Sequence, residues 1–136
     1  MIGELLADSD FFIALYKRDD ANHEHALKLL EKIDEEGKSL AVSILAYSEI
    51  ATVLSQRVGQ TVARSFMKDL ERSDARVIQT DESFFEKTQE VFRAQRSKNV
   101  SFTDASNIAL MGTEEFDSLV SFDEDYRKNG LQLFRA

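Results

Sequence analysis

The chain has 136 residues, of which 43% are hydrophobic and 31% are charged, a composition typical of a globular domain rather than of a disordered chain. It contains no cysteine, which excludes disulfides, thiol catalysis and thiolate metal sites. The formal net charge of −8 disfavours a protein that simply coats nucleic acid, because phosphate neutralisation needs basic residues. An acidic chain can still act on phosphates where its carboxylates hold divalent cations.

The N-terminus shows neither a secretory signal nor the start of a membrane span. Glu4 and Asp8 interrupt the only early apolar run, and no apolar stretch approaches the roughly 20 residues of a membrane helix. We therefore expect a cytoplasmic protein without membrane contact. Its length suits one domain over residues 1–136.

The first half of the chain alternates short apolar runs with segments of helical periodicity. In chain order we predict a strand at 3–7, a helix at 9–17, a helix within 19–39, a strand at 39–43, and helices at 44–59 and 61–72. The chain has no proline, so Gly37 and Gly59 are the expected helix ends.

The second half continues the same alternation. We predict a strand at 75–79, a helix at 81–99, a helix at 101–112, a strand at 118–122, a helical turn at 123–128 and a candidate fifth strand at 131–135. Strands that alternate with helices indicate a parallel sheet covered on both faces. The predicted fold is therefore an α/β protein, a three-layer α/β/α sandwich with a central, mostly parallel sheet.

Open parallel sheets bind their ligands outside the carboxyl ends of the strands, and four acidic residues are candidates for such a site. They are Asp8 after the first strand, Glu49 in the helix after the second, Asp104 in the first turn of the helix at 101–112, and Asp123 after the fourth strand. Each residue alone also has a structural explanation. Asp8 suits a helix N-cap, Asp104 suits a capping box with Ser101 unless Thr103 is the cap, and Asp123 suits a solvated acidic turn.

Glu49 is harder to explain by structure alone. Its helix is apolar nearly all round, which predicts burial, and a buried carboxylate without a partner is rare. A polar stripe through Ser48, Thr52 and Ser55 is the alternative that would leave Glu49 at the surface.

The four acids carry more weight as a set. Two unit charges about 4 Å apart repel by roughly 4 kcal/mol at an effective dielectric near 20, so clustered carboxylates need protons or cations. Oxygen ligands without His or Cys select Mg²⁺ or Mn²⁺ over zinc. Two such ions about 3.5–4 Å apart can activate water for phosphodiester cleavage.

The segments "LLADSDFFIALY", "SILAYSEIATVL", "SFTDASNIALM" and "LVSFDEDY" resemble, in order and spacing, the four acidic motifs of the PIN-domain nucleases. Within that family the wording is most similar to the VapC-type toxins of toxin–antitoxin pairs. The resemblance implies a PIN-like fold and an Mg²⁺- or Mn²⁺-dependent endoribonuclease. It also implies a homodimer, a small antitoxin that inserts near the active site, and often tRNA or rRNA as the substrate.

The same resemblance implies roles for individual residues. Asp8, Glu49, Asp104 and Asp123 would be the catalytic, metal-binding acids, with Ser9 and Ser121 as polar companions of the first and last. Two departures stand out. Asp10 adds an acid where a neutral residue is common, and Asp125 competes with Asp123 as the fourth acid.

A basic stripe recurs every four residues on the predicted helix at 61–72. Arg64, Lys68 and Arg72 could contact RNA phosphates or an acidic segment of an antitoxin. We prefer the alternative of a solvated face that pairs with Asp69 and Glu71, because surface charges are weak functional signals.

Two other classes of function remain open. One is a PIN-type nuclease that processes RNA or DNA without an antitoxin. The other is an acidic, PIN-like interaction domain that cuts nothing.

Overall fold

The computed structural model describes residues 3–113 and 116–135. Its strands and helices follow the predicted alternation closely. In chain order they are β1 Glu4–Ala7, α1 Ser9–Tyr16, α2 His23–Glu35, β2 Ser39–Ser43, α3 Ile44–Arg57, α4 Gln60–Arg72, β3 Arg76–Ile78, α5 Glu82–Ala94, α6 Phe102–Thr113, β4 Leu119–Val120 and α7 Asp125–Lys128.

The four strands form one sheet in the order β3-β2-β1-β4, and every pairing between them is parallel. The chain runs outward from β1 to β2 and β3, then crosses back to place β4 on the other side of β1. The carboxyl ends of β1 and β4 therefore form the switch in strand order, where a parallel sheet opens a crevice for ligands. Asp8 and Ser121 directly follow these two strands.

Both faces of the sheet are covered, because neighbouring strand residues point to opposite sides. Leu5, Ala7 and Val42 pack with the buried side chains of α1 to α4, whereas Leu6 and Ala41 pack with those of α6 and α7. Each cluster lies between the sheet and one layer of helices, so the molecule has three layers. The predicted three-layer sandwich with a parallel sheet is confirmed.

The candidate fifth strand is wrong. Within residues 131–135 only Leu133 joins the sheet, through a single isolated parallel bridge to Leu119. The strand it would extend, β4, is itself only two residues long and offers little edge for a ladder. Across the described residues, no helix is long and apolar enough to cross a bilayer.

Candidate active site

Asp8 lies at the centre of the crevice and is only 3% exposed. It is the N-cap of α1, and its Oδ1 accepts the backbone N–H of Ser9 at 2.7 Å and the side-chain amide of Asn107 at 3.0 Å. Its Oδ2 accepts the hydroxyl of Tyr126 at 2.7 Å. The capping role expected for Asp8 is present, but capping uses only one of the donors that surround this carboxyl group.

The environment of Asp8 opposes its negative charge. Burial, and after it the charges of the neighbouring Asp10 and Asp104, raise the pKa of Asp8 to about 8. Hydrogen bonds from Tyr126 and the Ser9 backbone act in the opposite direction but do not cancel this effect. A carboxyl group held in such surroundings is stabilised by either a proton or a cation.

Asp104 begins α6 through the predicted capping box. Its Oδ2 accepts the backbone N–H of Ser101 at 3.0 Å, and the Ser101 hydroxyl accepts the Asp104 N–H at 3.0 Å. Ser101 is therefore the capping partner, and Thr103 is not. The other oxygen, Oδ1, lies 3.1 Å from the Tyr126 hydroxyl. One half of this carboxyl group thus holds the helix while the other half faces Asp8.

Glu49 reaches the same crevice from α3. The hydroxyl of Ser9 donates to Glu49 Oε1 at 2.7 Å and also lies 3.4 Å from Asp8 Oδ1. Ser9, which is 6% exposed, therefore stands between the first two acids.

Of the two settings considered for Glu49, the structure shows the surface one, because its side chain is exposed. Helix α3 buries one stripe, Ala46, Ile50 and Leu54, against the sheet. Ser48 and Thr52 are exposed beside Glu49, so the polar stripe of α3 faces the solvent. The helix lies at the surface on this side despite its apolar composition.

Ser121 and Asp10 tie the end of β4 to the start of α1. Asp10 Oδ2 accepts the Ser121 hydroxyl at 2.8 Å and the Phe122 N–H at 2.9 Å. The backbone N–H of Asp123 donates to the Ser121 oxygen at 3.1 Å. Burial raises the pKa of Asp10 to about 6, and its Oδ1 is buried with no hydrogen-bond partner in the described structure.

Asp123 and Asp125 both line a small pocket together with Asp104 and Tyr126. Desolvation, with Asp125 and Asp104 nearby, raises the pKa of Asp123. Asp125 instead forms an ion pair with Lys128 at 3.0 Å, and its N–H donates to Asp123 Oδ1 at 2.9 Å. Of the two, Asp123 has the more negative surroundings and no ion pair of its own in the residues described.

Three hydroxyl groups lie among the four predicted acids, and two of them each contact two of these carboxyl groups, whereas the third contacts the backbone of Asp123. Tyr126 lies between Asp8 and Asp104, Ser9 lies between Asp8 and Glu49, and Ser121 joins the Asp8 and Asp10 segment to Asp123. The contacts are pairwise. Within residues 3–113 and 116–135, no three acid or imidazole side chains converge closely enough to hold one metal ion together.

The donor set nevertheless fits a hard divalent cation in its chemistry. Every side chain that converges here offers oxygen, and the imidazole and thiolate ligands that zinc prefers are not among them. The raised pKa of Asp8 and the unpartnered Oδ1 of Asp10 both mark surplus negative charge in a buried place. Mg²⁺ or Mn²⁺ would relieve that surplus.

Sequence reasoning missed Asn107 and Tyr126, and it gave Asp10 no contact role. Asn107 lies three residues after Asp104, on the same face of α6, and this spacing could have drawn attention to it. Tyr126 has no such signal, because a buried aromatic residue in a short helix is ordinary core.

The basic stripe on α4 is exposed. Arg64, Lys68 and Arg72 form no ion pair within 4 Å in the described structure, and Asp69 instead accepts the hydroxyl of Tyr16. The preferred alternative of a solvated face is therefore confirmed, but the pairing with Asp69 and Glu71 that it included is not found among the described residues. Their charges remain available to a partner.

The PIN-domain family model matches residues 5–131. In solved structures, the chain is similar to VapC20 of Mycobacterium tuberculosis, a sarcin-ricin-loop-cleaving toxin, with a TM-score of 0.85, 23% identity, and coverage of 97% of this chain and 99% of that chain. It is also similar to VapBC2 from Rickettsia felis, bound to a promoter DNA fragment, with a TM-score of 0.63, 15% identity and 98% coverage of each chain. No curated protein matches. Because the matched segment spans most of the chain and includes all four acids, the chain belongs to the PIN-domain family.

Proposed function

We propose that this protein is an Mg²⁺- or Mn²⁺-dependent endoribonuclease and the toxin of a VapBC-type toxin–antitoxin pair. The observation that carries the proposal is the buried Asp8, which shares the Tyr126 hydroxyl with Asp104 and whose pKa burial and the acidic neighbours Asp10 and Asp104 raise to about 8. A fold does not tolerate such a cluster without reason, because each acid destabilises the others. Membership of the PIN-domain family supports a nuclease.

Asp8, Asp104, Asp123 and Glu49 are the residues that would hold the cation. Bound Mg²⁺ or Mn²⁺ supplies positive charge for the scissile phosphate and lowers the pKa of the attacking water. The chain's own residues fix the geometry in advance. The N–H groups of Ser9 and Ser101 orient two of the carboxylates from helix N-termini, whose dipoles also favour negative charge.

Glu49 has a different setting from the other three acids. It is exposed, and a single hydrogen bond from Ser9 holds it to the crevice. A carboxylate at the rim can accept a proton from water that enters beside the phosphate. We assign Asp123 rather than Asp125 as the fourth acid, because Lys128 already neutralises Asp125.

We propose that the stripe of Arg64, Lys68 and Arg72 on α4 binds RNA phosphates. Arg64 and Thr52 of α3 line the same surface pocket, and Thr52 is three residues after Glu49 on the same side of that helix. The stripe therefore begins beside the helix that carries Glu49. Exposed cations without ion pairs are the groups that release counterions from a bound nucleic acid.

The partners are part of the same proposal. We propose a small antitoxin that covers the acids, a homodimer, a cytoplasmic location, one domain over residues 1–136 and a structured RNA, tRNA or rRNA, as the substrate. Two similar structures support the RNA substrate and the antitoxin. The VapC20 toxin cleaves the sarcin-ricin loop, and VapBC2 was solved bound to a promoter DNA fragment.

The test is to sequence RNA ends in cells after induction of the wild type, Asp104→Asn and Asp81→Asn. Asp104→Asn keeps an oxygen for the capping box but removes the charge. Asp81→Asn is the matched control, because Asp81 caps α5 in a similar way by accepting the Phe84 N–H at 2.8 Å, after the edge strand β3. We expect discrete new RNA ends with the wild type and the control and none with Asp104→Asn.

The outcome also separates the other classes. New ends without a neighbouring antitoxin gene would indicate a processing nuclease, and no new ends with the wild type would indicate an interaction domain. New ends that persist with Asp104→Asn would refute the assignment of the site.

A further inference from the structure

Tyr126 lies at a place where a core aromatic residue has no obvious need of a hydroxyl. It belongs to the short helix α7 and is 2% exposed, packed among Leu6, Leu119 and Leu133 on the second face of the sheet. A buried phenol must find hydrogen-bond partners, since an unsatisfied hydroxyl in the core is costly. Its partners here are the two carboxyl groups of Asp8 and Asp104, at 2.7 and 3.1 Å.

Asn107 fixes the direction of the hydroxyl proton. Its side-chain nitrogen donates both to Asp8 Oδ1 at 3.0 Å and to the Tyr126 oxygen at 3.1 Å. The opposite orientation of the amide would place its oxygen against a carboxylate oxygen, so the nitrogen must face this side. Tyr126 therefore accepts a hydrogen bond from Asn107, and its single proton is directed at the acids.

This arrangement joins parts of the chain that are far apart in sequence. Asp8 follows β1 and Asp104 begins α6, and the ring of Tyr126 reaches both from α7. A buried ring has few accessible rotamers, so its oxygen is a fixed point between the two carboxyl groups. One hydroxyl proton cannot fully satisfy two carboxylates, which leaves acceptor capacity at this point for a cation.

We propose that Tyr126, held by Asn107, is a positioning residue that sets the separation and orientation of Asp8 and Asp104 for a divalent cation. The inference rests on the proposed function, because it concerns the same acids. Hydrogen-bond partners that orient metal ligands typically contribute 10–100-fold to metal affinity. Removal of the hydroxyl should therefore weaken the binding of the cation more than it affects the fold or the binding of RNA.

The test compares Tyr126→Phe with Tyr16→Phe. Both variants lose one phenolic hydroxyl that contacts an acid, but Tyr16 donates to Asp69 on α4 and not to the acids of the crevice. Mn²⁺ is titrated into the metal-stripped full chain by calorimetry. We expect the Mn²⁺ Kd of Tyr126→Phe to rise by about tenfold or more, with Tyr16→Phe unchanged. At saturating Mn²⁺, kcat for RNA should fall and KM should stay the same.

Each outcome decides the question. An unchanged Mn²⁺ Kd in Tyr126→Phe overturns the proposal, and a lower Kd overturns it too, because it means that the hydroxyl competes with the cation. If circular dichroism shows that Tyr126→Phe does not fold, Asn107→Ser is used in its place. A rise in the Mn²⁺ Kd of that variant supports the proposal, and an unchanged Kd overturns it. A wild type that neither binds Mn²⁺ nor cleaves RNA would instead reject the proposed function itself.

Discussion

Asp8→Asn measures how strongly the buried acid opposes folding when no metal is bound. In the folded chain, burial and then Asp10 raise the pKa of Asp8 from 3.8 to about 8. An acid whose pKa is higher in the folded state stabilises the fold below its unfolded pKa. That stabilisation is lost as the pH rises through the folded pKa. The metal-free wild type should therefore lose stability between about pH 4 and pH 8.

The shift of about four pKa units converts to an upper limit of roughly 6 kcal/mol, at about 1.4 kcal/mol per unit. Asn avoids this loss because it carries no charge. Its oxygen can still accept from the Ser9 N–H and from Asn107, and its amide can donate to Tyr126, whose proton then turns to Asp104. In a chain of this size each kcal/mol moves Tm by about 3–4 °C, so the effect is easily measured.

The assay is thermal unfolding in excess chelator from about pH 5 to pH 8. Asp8→Asn should unfold at a higher temperature than the wild type at pH 8, and the difference should shrink towards pH 5. Asp81→Asn, which also neutralises a helix-capping acid, should follow the wild type across this range. A wild type that is equally stable at both ends, or an Asp8→Asn variant that is less stable at pH 8, would refute the reasoning.

Three further predictions concern the same crevice and its surroundings. Saturating Mn²⁺ at about 100 times its Kd should stabilise the wild type by about 2.7 kcal/mol in thermal unfolding, and Asp104→Asn should show little of this gain. Ser9→Ala removes the hydroxyl between Asp8 and Glu49, so kcat should fall while stability drops by about 1 kcal/mol in urea denaturation; unchanged kcat would contradict the role of Ser9. Lys68→Glu should raise KM for RNA and flatten its dependence on salt without lowering kcat, and an unchanged salt dependence would remove α4 from the RNA path.

The helix-capping positions of Asp8 and Asp104 could be predicted from the sequence because they follow from local rules. A strand end, a helix cap and a capping box are written in a few neighbouring residues, and the structure forms them at Asp8 and Asp104. Strand alternation then requires that the ends of parallel strands lie on one edge of the sheet. These two rules account for the position of Asp8 at the ligand-binding edge of the sheet, whereas the assignment of all four acids to one metal site stays a prediction.

The contacts between the acids could not be predicted in this way. The reach of the Tyr126 hydroxyl depends on how α7 packs against Leu6 and Leu119, and no local pattern records that packing. The exposure of Glu49 could not be predicted for a related reason. The apolar composition of α3 suggested that the whole helix is buried, but the neighbouring layers cover only part of the helix surface. The predicted fifth strand at 131–135 does not form because β4 is too short to pair with a full strand.

Asp8 and Asp104 each cap a helix in addition to their proposed role in binding a cation, and this affects which mutations could inactivate the protein without unfolding it. Both acids hold the first turn of a helix through backbone N–H groups, so most replacements would cost the chain a cap as well as its chemistry. Asn is the neutral residue that caps a helix as well as Asp does, and a G-to-A transition in an Asp codon produces it. If Asp8 and Asp104 have the proposed role, a folded copy without activity is thus one base change away at either position.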